Sequence, residues 1–179
     1  SAVDDYEFDA GTVTANLADG TMIRAKLVVG ADGRTSLARK AAGVEVRNWT
    51  YPQTAFITVF EHRLAHEGIS TEFHTEQGPC VQVPLRGNRS SLVWVVRPEK
   101  AEELMAMENA ALSSAIEDRI ASILGKVTVG ATRQTYPLSG QYPMSFAKNR
   151  IALVGEAAHV FPPIGAQGLN LGLRDVEDL

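Results

Sequence analysis

Two short apolar runs, each broken by glycine and an acidic residue, constrain this chain most. Leu27-Val28-Val29 leads into Gly30-Ala31-Asp32-Gly33, and Ile151-Ala152-Leu153-Val154 leads into Gly155-Glu156. A continuous apolar run suits a strand covered on both faces, as in parallel sheets. The open carboxyl ends of such strands are where α/β folds take ligands. The pattern therefore predicts an α/β (α+β) class, with two distant segments meeting in one layered sheet.

The rest of the chain divides around these runs. In residues 1–47, strands are expected over Thr12–Leu17 and Thr21–Val29. Ala18-Asp19-Gly20 forms the hairpin turn between them, and a helix follows over Ser36–Ala42, stopped by Gly43. Residues 48–147 read as a mostly antiparallel sheet, from Thr54–Phe60, Glu72–Pro84, Ser90–Val96 and Val127–Tyr136. A helical stretch after Pro98 repeats Leu112, Ile116, Ile120 and Leu124, giving one buried face. Residues 148–179 return to the first pattern, with the strand Ile151–Val154, a Pro/Gly-rich loop to Gly165, and a helix carrying Leu169, Leu173 and Val176 on one side. The chain stops at Leu179 without a stop signal, which reads as a cut or proteolytic piece of a longer protein.

Composition narrows the function classes. The 179 residues carry a net charge of −4 with no basic stripe, so nucleic acid is not expected as a partner. The one cysteine, Cys80, makes an intramolecular disulfide or a CxxC motif impossible and reads as a small buried residue. No apolar run is long enough for a bilayer span. His62 and His66, four apart and flanked by Glu61 and Glu67, lack an evident third ligand and read as a solvated loop, so no metal is expected. The charged run Glu99–Glu103 reads as a solvated helix face.

The candidate site lies in the two glycine-acid junctions. Gly30 and Gly33 let backbone pass close to a ligand, and Asp32 offers a carboxylate to hydroxyls. Asp19-Gly20 is the same dipeptide in a plain hairpin, so Asp32 by itself says little. The second junction says more. Pro162-Pro163 stiffens the loop, Gly165 and Gly168 remove side chains, and a helix begins beside Gln167, Leu169 and Asn170. The first turn of a helix holds unpaired N–H groups and partial positive charge, a good seat for an anion or an electron-rich carbonyl.

Gly30–Gly33 with Ser36 and Arg39, and Gly155–His159 followed by Pro162–Asn170, resemble the paired flavin motifs of the class A FAD-dependent aromatic monooxygenases, the para-hydroxybenzoate hydroxylase fold. The tail Gln167–Val176 and Tyr136-Pro137-Leu138 look most like the ubiquinone-biosynthesis hydroxylases, although Phe161-Pro162-Pro163 is closer to the general aromatic hydroxylases. The resemblance implies residues 1–47 and 148–179 as parts of an incomplete FAD-binding domain, and residues 48–147 as an inserted substrate-binding β-sheet domain. It implies Asp32, Gly33, Gly155, Glu156, Pro163, Gly165, Gln167, Gly168, Leu169 and Asn170 as FAD-binding positions, with NADPH or NADH as electron donor. His159 is expected either to pack under the proline loop or to take part in catalysis.

The implied substrate is a small aromatic ring, with a polyprenylated phenol as the narrower expectation. The implied setting is cytoplasmic, with peripheral contact to the inner membrane surface or a biosynthetic complex open. Two departures stand out: Glu156 occupies a position where the family has Asp, and no Gly-x-Gly-x-x-Gly follows a strand. No catalytic residue is assigned, since in this chemistry the cofactor carries the reaction. A related FAD-dependent oxidoreductase without oxygen insertion, and an inactive piece that only folds or docks, stay open as alternatives.

Overall fold

The computed structural model describes residues 1–76 and 78–179; position 77, inside the expected strand 72–84, lies outside the described residues. The elements in order are β1 (Val3–Phe8), β2 (Val13–Leu17), β3 (Met22–Ala25), β4 (Val28–Gly30), α1 (Leu37–Ala41), β5 (Val46–His62), β6 (Thr71–Thr75), β7 (Gly78–Leu85), β8 (Arg89–Val96), α2 (Pro98–Ala106), α3 (Asn109–Arg119), β9 (Val127–Pro143), β10 (Ala147–Lys148), β11 (Ile151–Leu153) and α4 (Gly168–Glu177). The class is mixed α/β with mostly antiparallel sheets, as the sequence predicts. The chain forms two compact units, residues 1–49 with 139–179, and residues 50–138.

In the first unit, β1, β2 and β3 form an antiparallel meander. Gly20, at φ +81°, turns the β2–β3 hairpin, and Asp19 Oδ1 accepts the Thr21 N–H at 2.9 Å. The expected strand Thr21–Val29 is two strands. Met22–Ala25 pairs with β2, whereas β4 joins a second sheet of order β10-β11-β4, running parallel to β11. Strand β1 escapes sequence reading because Asp4, Asp5 and Glu7 mask its alternation. Residues 139–147 belong to this unit: Met144 N–H bonds Glu45 O at 2.8 Å, and Gln141 exchanges two backbone bonds with Val160. Ala38, Ala42, Val44, Ile151, Leu153, Ala157 and Ala158 form its core.

In the second unit the sheet order is β6-β7-β8-β5-β9. The expected strand Glu72–Pro84 is a hairpin, β6 against β7 with Phe73 opposite Cys80. Gly78, at φ +115°, starts β7 where an added Cβ would strike the Val95 carbonyl, so no other residue fits there. The expected helix after Pro98 is also two, broken at Met107 and Glu108. Leu112, Ile116, Ile120 and Leu124 are all buried, yet Ile120 caps α3 and Leu124 lies beyond it, after Ala121 and Ser122 at φ +52°. Pro137 is tolerated inside β9 because that strand is the sheet edge. Cys80 sits fully buried among Phe56, Leu92 and Trp94, where burial pushes its thiol up to about 12 against the pull of Arg119. His62 is not in a solvated loop: it is buried at the end of β5, with Nδ1 2.7 Å from Leu64 O and Nε2 3.0 Å from Ser90 Oγ.

Candidate functional site

The parallel register of β4 and β11 places Val28 beside Ile151, Val29 beside Ala152 and Gly30 beside Leu153. The Val154 N–H continues the ladder to Gly30 O at 3.0 Å. Both glycine-acid junctions thus leave the carboxyl ends of adjacent strands. Gly30 has a packing reason as well. An added Cβ would stand 2.8 Å from Ala38 Cβ and 3.1 Å from Leu153 Cδ2, so only glycine lets α1 lie this close to β4.

The first junction is built around the start of α1. Gly33 takes φ +79°, and Ser36 caps the helix by accepting the Arg39 N–H at 2.9 Å. Asp32 Oδ1 accepts from Ser36 Oγ at 2.5 Å, and Oδ2 accepts the Ala38 N–H at 3.0 Å. Partial burial raises the Asp32 carboxyl, but the bonds from Ser36, Ala38 and neighbouring amides outweigh it and hold it below the ordinary carboxylate value. Asp32 therefore serves its own helix first. Each of its oxygens keeps a further lone pair for an outside donor.

Two arginines join the junctions. Arg39 is 6% exposed; it donates to Ala157 O at 2.7 Å and to Arg34 O at 2.8 Å, stitching the loop after β4 to the turn after β11. Burial pushes its guanidinium below its ordinary value, with the Asp32 charge opposing. Arg34 reaches Glu156, N to O 3.5 Å, with both side chains about half exposed. The extra methylene of Glu156 thus extends to a partner in the other junction.

The second junction begins with Gly155 at φ +58° in a 3₁₀ turn, Gly155–Ala157. Asp175 Oδ2, from α4, accepts the Gly155 N–H at 2.7 Å and lies 2.8 Å from His159 Nε2. His159 is 7% exposed; the carboxylate only accepts, so its Nε2 carries the hydrogen. Pro163 leads into a second 3₁₀ turn, Ile164–Ala166, where Gly165 takes φ +73° and Gln167 Nε2 donates back to Gly165 O at 2.9 Å. Helix α4 then starts at Gly168 without a side-chain cap, and a Cβ there would meet nothing within 4 Å. Leu169 is 76% exposed and Asn170 is also exposed. The uncapped first turn leaves amide donors facing open space.

All ten expected positions thus fall in the two junctions of one unit. Sequence reading missed Asp175 and Arg34, and gave Arg39 no contact. Only Arg39 had a local signal, an arginine among the small residues Ala38, Ala41 and Ala42 of a short helix. Among the described residues, no cluster of three or more His, Cys, Asp or Glu is placed to hold a metal ion.

The FAD binding domain family profile matches residues 2–179. The ubiquinone hydroxylase UbiL of Rhodospirillum rubrum is 42% identical over 168 residues, 94% of this chain and 39% of that protein. The 3-demethoxyubiquinol 3-hydroxylase of Escherichia coli is 37% identical over 163 residues, 91% of this chain and 41% of that protein. The chain therefore spans about two fifths of these relatives' length. Among solved structures, PqsL of Pseudomonas aeruginosa, described as a probable FAD-dependent monooxygenase, superposes with a TM-score of 0.79 at 25% identity, over 98% of this chain and 50% of that one.

Proposed function

The chain belongs to the FAD binding domain family, and from that premise we propose that it is part of a flavin-dependent monooxygenase that hydroxylates a phenolic ring. The observation that carries the reading is the uncapped start of α4, held beside the ends of two parallel strands with open space at Gly168.

The residues present fit FAD. Gly33, Gly155 and Gly168 each leave room where a side chain would stand. The donors and acceptors also match its chemistry. Glu156, and the remaining lone pairs of Asp32, suit the hydroxyls of the ribityl chain. The backbone from Pro163 through Gly165 and Gln167 to Asn170 suits the edge of the isoalloxazine ring, and the amides near Leu169 and Asn170 suit its pyrimidine oxygen. A helix N-terminus favours negative charge, so it stabilises a reduced ring that is anionic at that end. When bound, FAD supplies the redox chemistry: electrons from NADH or NADPH, and one atom of O2 to the ring with the other released as water. The protein's part is to bind, orient and exclude water.

We assign the unit that holds residues 1–47 and 148–179 to FAD binding, and the unit of residues 50–138, which makes up most of the expected span 48–147, to the substrate. The relatives named as ubiquinone hydroxylases support a polyprenylated phenol as that substrate. No helix among the described residues is long and apolar enough to cross a membrane. We place the protein in the cytoplasm, meeting its substrate at the inner membrane surface or in a biosynthetic complex. The test is product analysis of the whole protein with FAD, NAD(P)H and a series of phenols with and without prenyl chains. A ring product one oxygen heavier supports the reading. Oxidation of NAD(P)H with no oxygenated product from any phenol in the series overturns it.

A further inference from the structure

Helix α4 poses a physical question that the flavin reading does not answer. It buries none of its ten residues, and Leu169, Leu173 and Val176 are 76%, 55% and 57% exposed. A helix usually holds its place through a buried apolar stripe. Here the apolar stripe faces outward, and only Leu171, Gly172 and Asp175 have even partial burial. Some other feature must fix the direction in which the first turn points.

The Asp175 carboxylate is that feature. One oxygen, Oδ2, takes the Gly155 N–H at 2.7 Å and the His159 Nε2–H at 2.8 Å. The Asp175 side chain is 17% exposed and the His159 side chain 8%, so both bonds are shielded from water. Hydrogen bonds to a charged acceptor are stronger than neutral ones, and shielding strengthens them further. The contact is close in the backbone too: a Cβ on Gly172 would lie 3.4 Å from Gly155 Cα. Gly168, Gly172 and Asp175 are spaced by four and then three residues, which puts them on one helix face. An anchor at Asp175 therefore fixes the rotation of α4, and with it the direction of the Gly168 face, about 10 Å away along the axis.

We propose that Asp175 and His159 are positioning residues that clamp α4 to the turn after β11 and so aim its first-turn amides at the flavin. The clamp acts through Gly155 and His159 and touches no reacting atom. Its aim at the flavin rests on the FAD reading above, but the clamp itself does not.

The experiment compares the whole protein with its Asp175→Ala and Asp175→Asn variants, first without cofactor by amide hydrogen exchange and then by FAD titration. Removing the carboxylate is expected to speed exchange at Gly155 and over residues 168–177 by about tenfold or more, the scale of a lost charged hydrogen bond. FAD affinity is expected to fall by a similar factor, and the visible absorption band of the bound flavin to shift. Asp175→Asn keeps an acceptor oxygen and should sit between wild type and alanine in all three readouts; it also decides the matter if the alanine variant fails to fold. Unchanged exchange in both variants overturns the clamp. Faster exchange with unchanged affinity and an unshifted band overturns the positioning role. If the wild-type protein takes up no FAD, the cofactor reading fails, together with the aim assigned to the clamp, and exchange still decides the clamp.

Discussion

Asp32 shows how a residue with a ligand-like sequence context can be spent on structure first. Its two oxygens hold Ser36 Oγ and the Ala38 N–H, so it secures the start of α1. Asp32→Ala should cost about 1 kcal/mol at neutral pH, the usual size of a helix-cap loss. The sign of the pH dependence follows from the lowered folded-state value. The unfolded carboxyl titrates near its ordinary value of about 4. The stabilisation is therefore complete above that pH and is lost as pH falls through the lower folded value. Urea unfolding at pH 7 and near pH 3 should show a gap between wild type and variant that narrows at the acid end; a gap of equal size at both would mean that the ionised carboxylate does not secure the helix start. Glu156 behaves differently. Its pairing with Arg34 is half exposed on both sides, so it adds at most about 1 kcal/mol to stability. In the whole protein, Glu156→Ala should weaken FAD by about 1–3 kcal/mol, while Glu156→Asp, which restores the family residue, should be tolerated. Equal fluorescence titrations for all three proteins would mean that residue 156 does not touch the cofactor.

At the scale of elements, two glycines separate packing from binding. Gly30→Ala forces a methyl into Ala38 and Leu153, so it should destabilise the first unit by about 1–3 kcal/mol. Gly168→Val meets nothing in the protein, so melting should shift by less than about 1 kcal/mol, near the helix-propensity scale, while FAD affinity drops sharply. Normal FAD affinity and turnover in that variant would take Gly168 away from the ring's edge. The same contrast explains what could be read from sequence. The apolar runs at 27–29 and 151–154 were legible because neither carries polar alternation, but only 151–154 is buried on both faces; Leu27 and Val29 lie about half exposed because β4 is the edge of its sheet. The glycines were legible because their spacing needs no partner. The break between β3 and β4 was hidden because no glycine, proline, Asn or Asp marks it between Met22 and Val29. The hairpin of β6 and β7 did carry a turn signal in Gly78-Pro79, whereas the break between α2 and α3, at Met107 and Glu108, carries neither glycine nor proline. Asp175 was hidden for another reason. Its partners lie 16 and 20 residues earlier, and only the close approach of Gly172 to Gly155 brings them within reach.

At the scale of the whole molecule, the two families of contact that FAD needs are unequally represented. Ribityl and ring contacts come from the two junctions, but the chain has no Gly-x-Gly-x-x-Gly turn to seat a pyrophosphate with amide donors and a helix dipole. Without that seat the charged half of the dinucleotide stays in water, while the cost of immobilising the molecule persists. The 179-residue chain by itself should therefore purify colourless and release FAD on dilution. Its surface leads to a second expectation. Strand β4 is the last in its sheet order, with Leu27 50% and Val29 45% exposed, and the outward stripe of α4 adds Leu169, Leu173 and Val176. Apolar strand edges and contiguous apolar patches invite pairing with another chain. We expect the isolated chain to self-associate, and the association to weaken when Val29 is replaced by lysine, since a charge on an edge strand opposes edge-to-edge pairing. Following FAD fluorescence during a titration, with light scattering in parallel, tests both expectations. Tight one-to-one uptake of FAD by a clean monomer would show that the junctions suffice without a pyrophosphate turn, and that the β4 edge does not drive association.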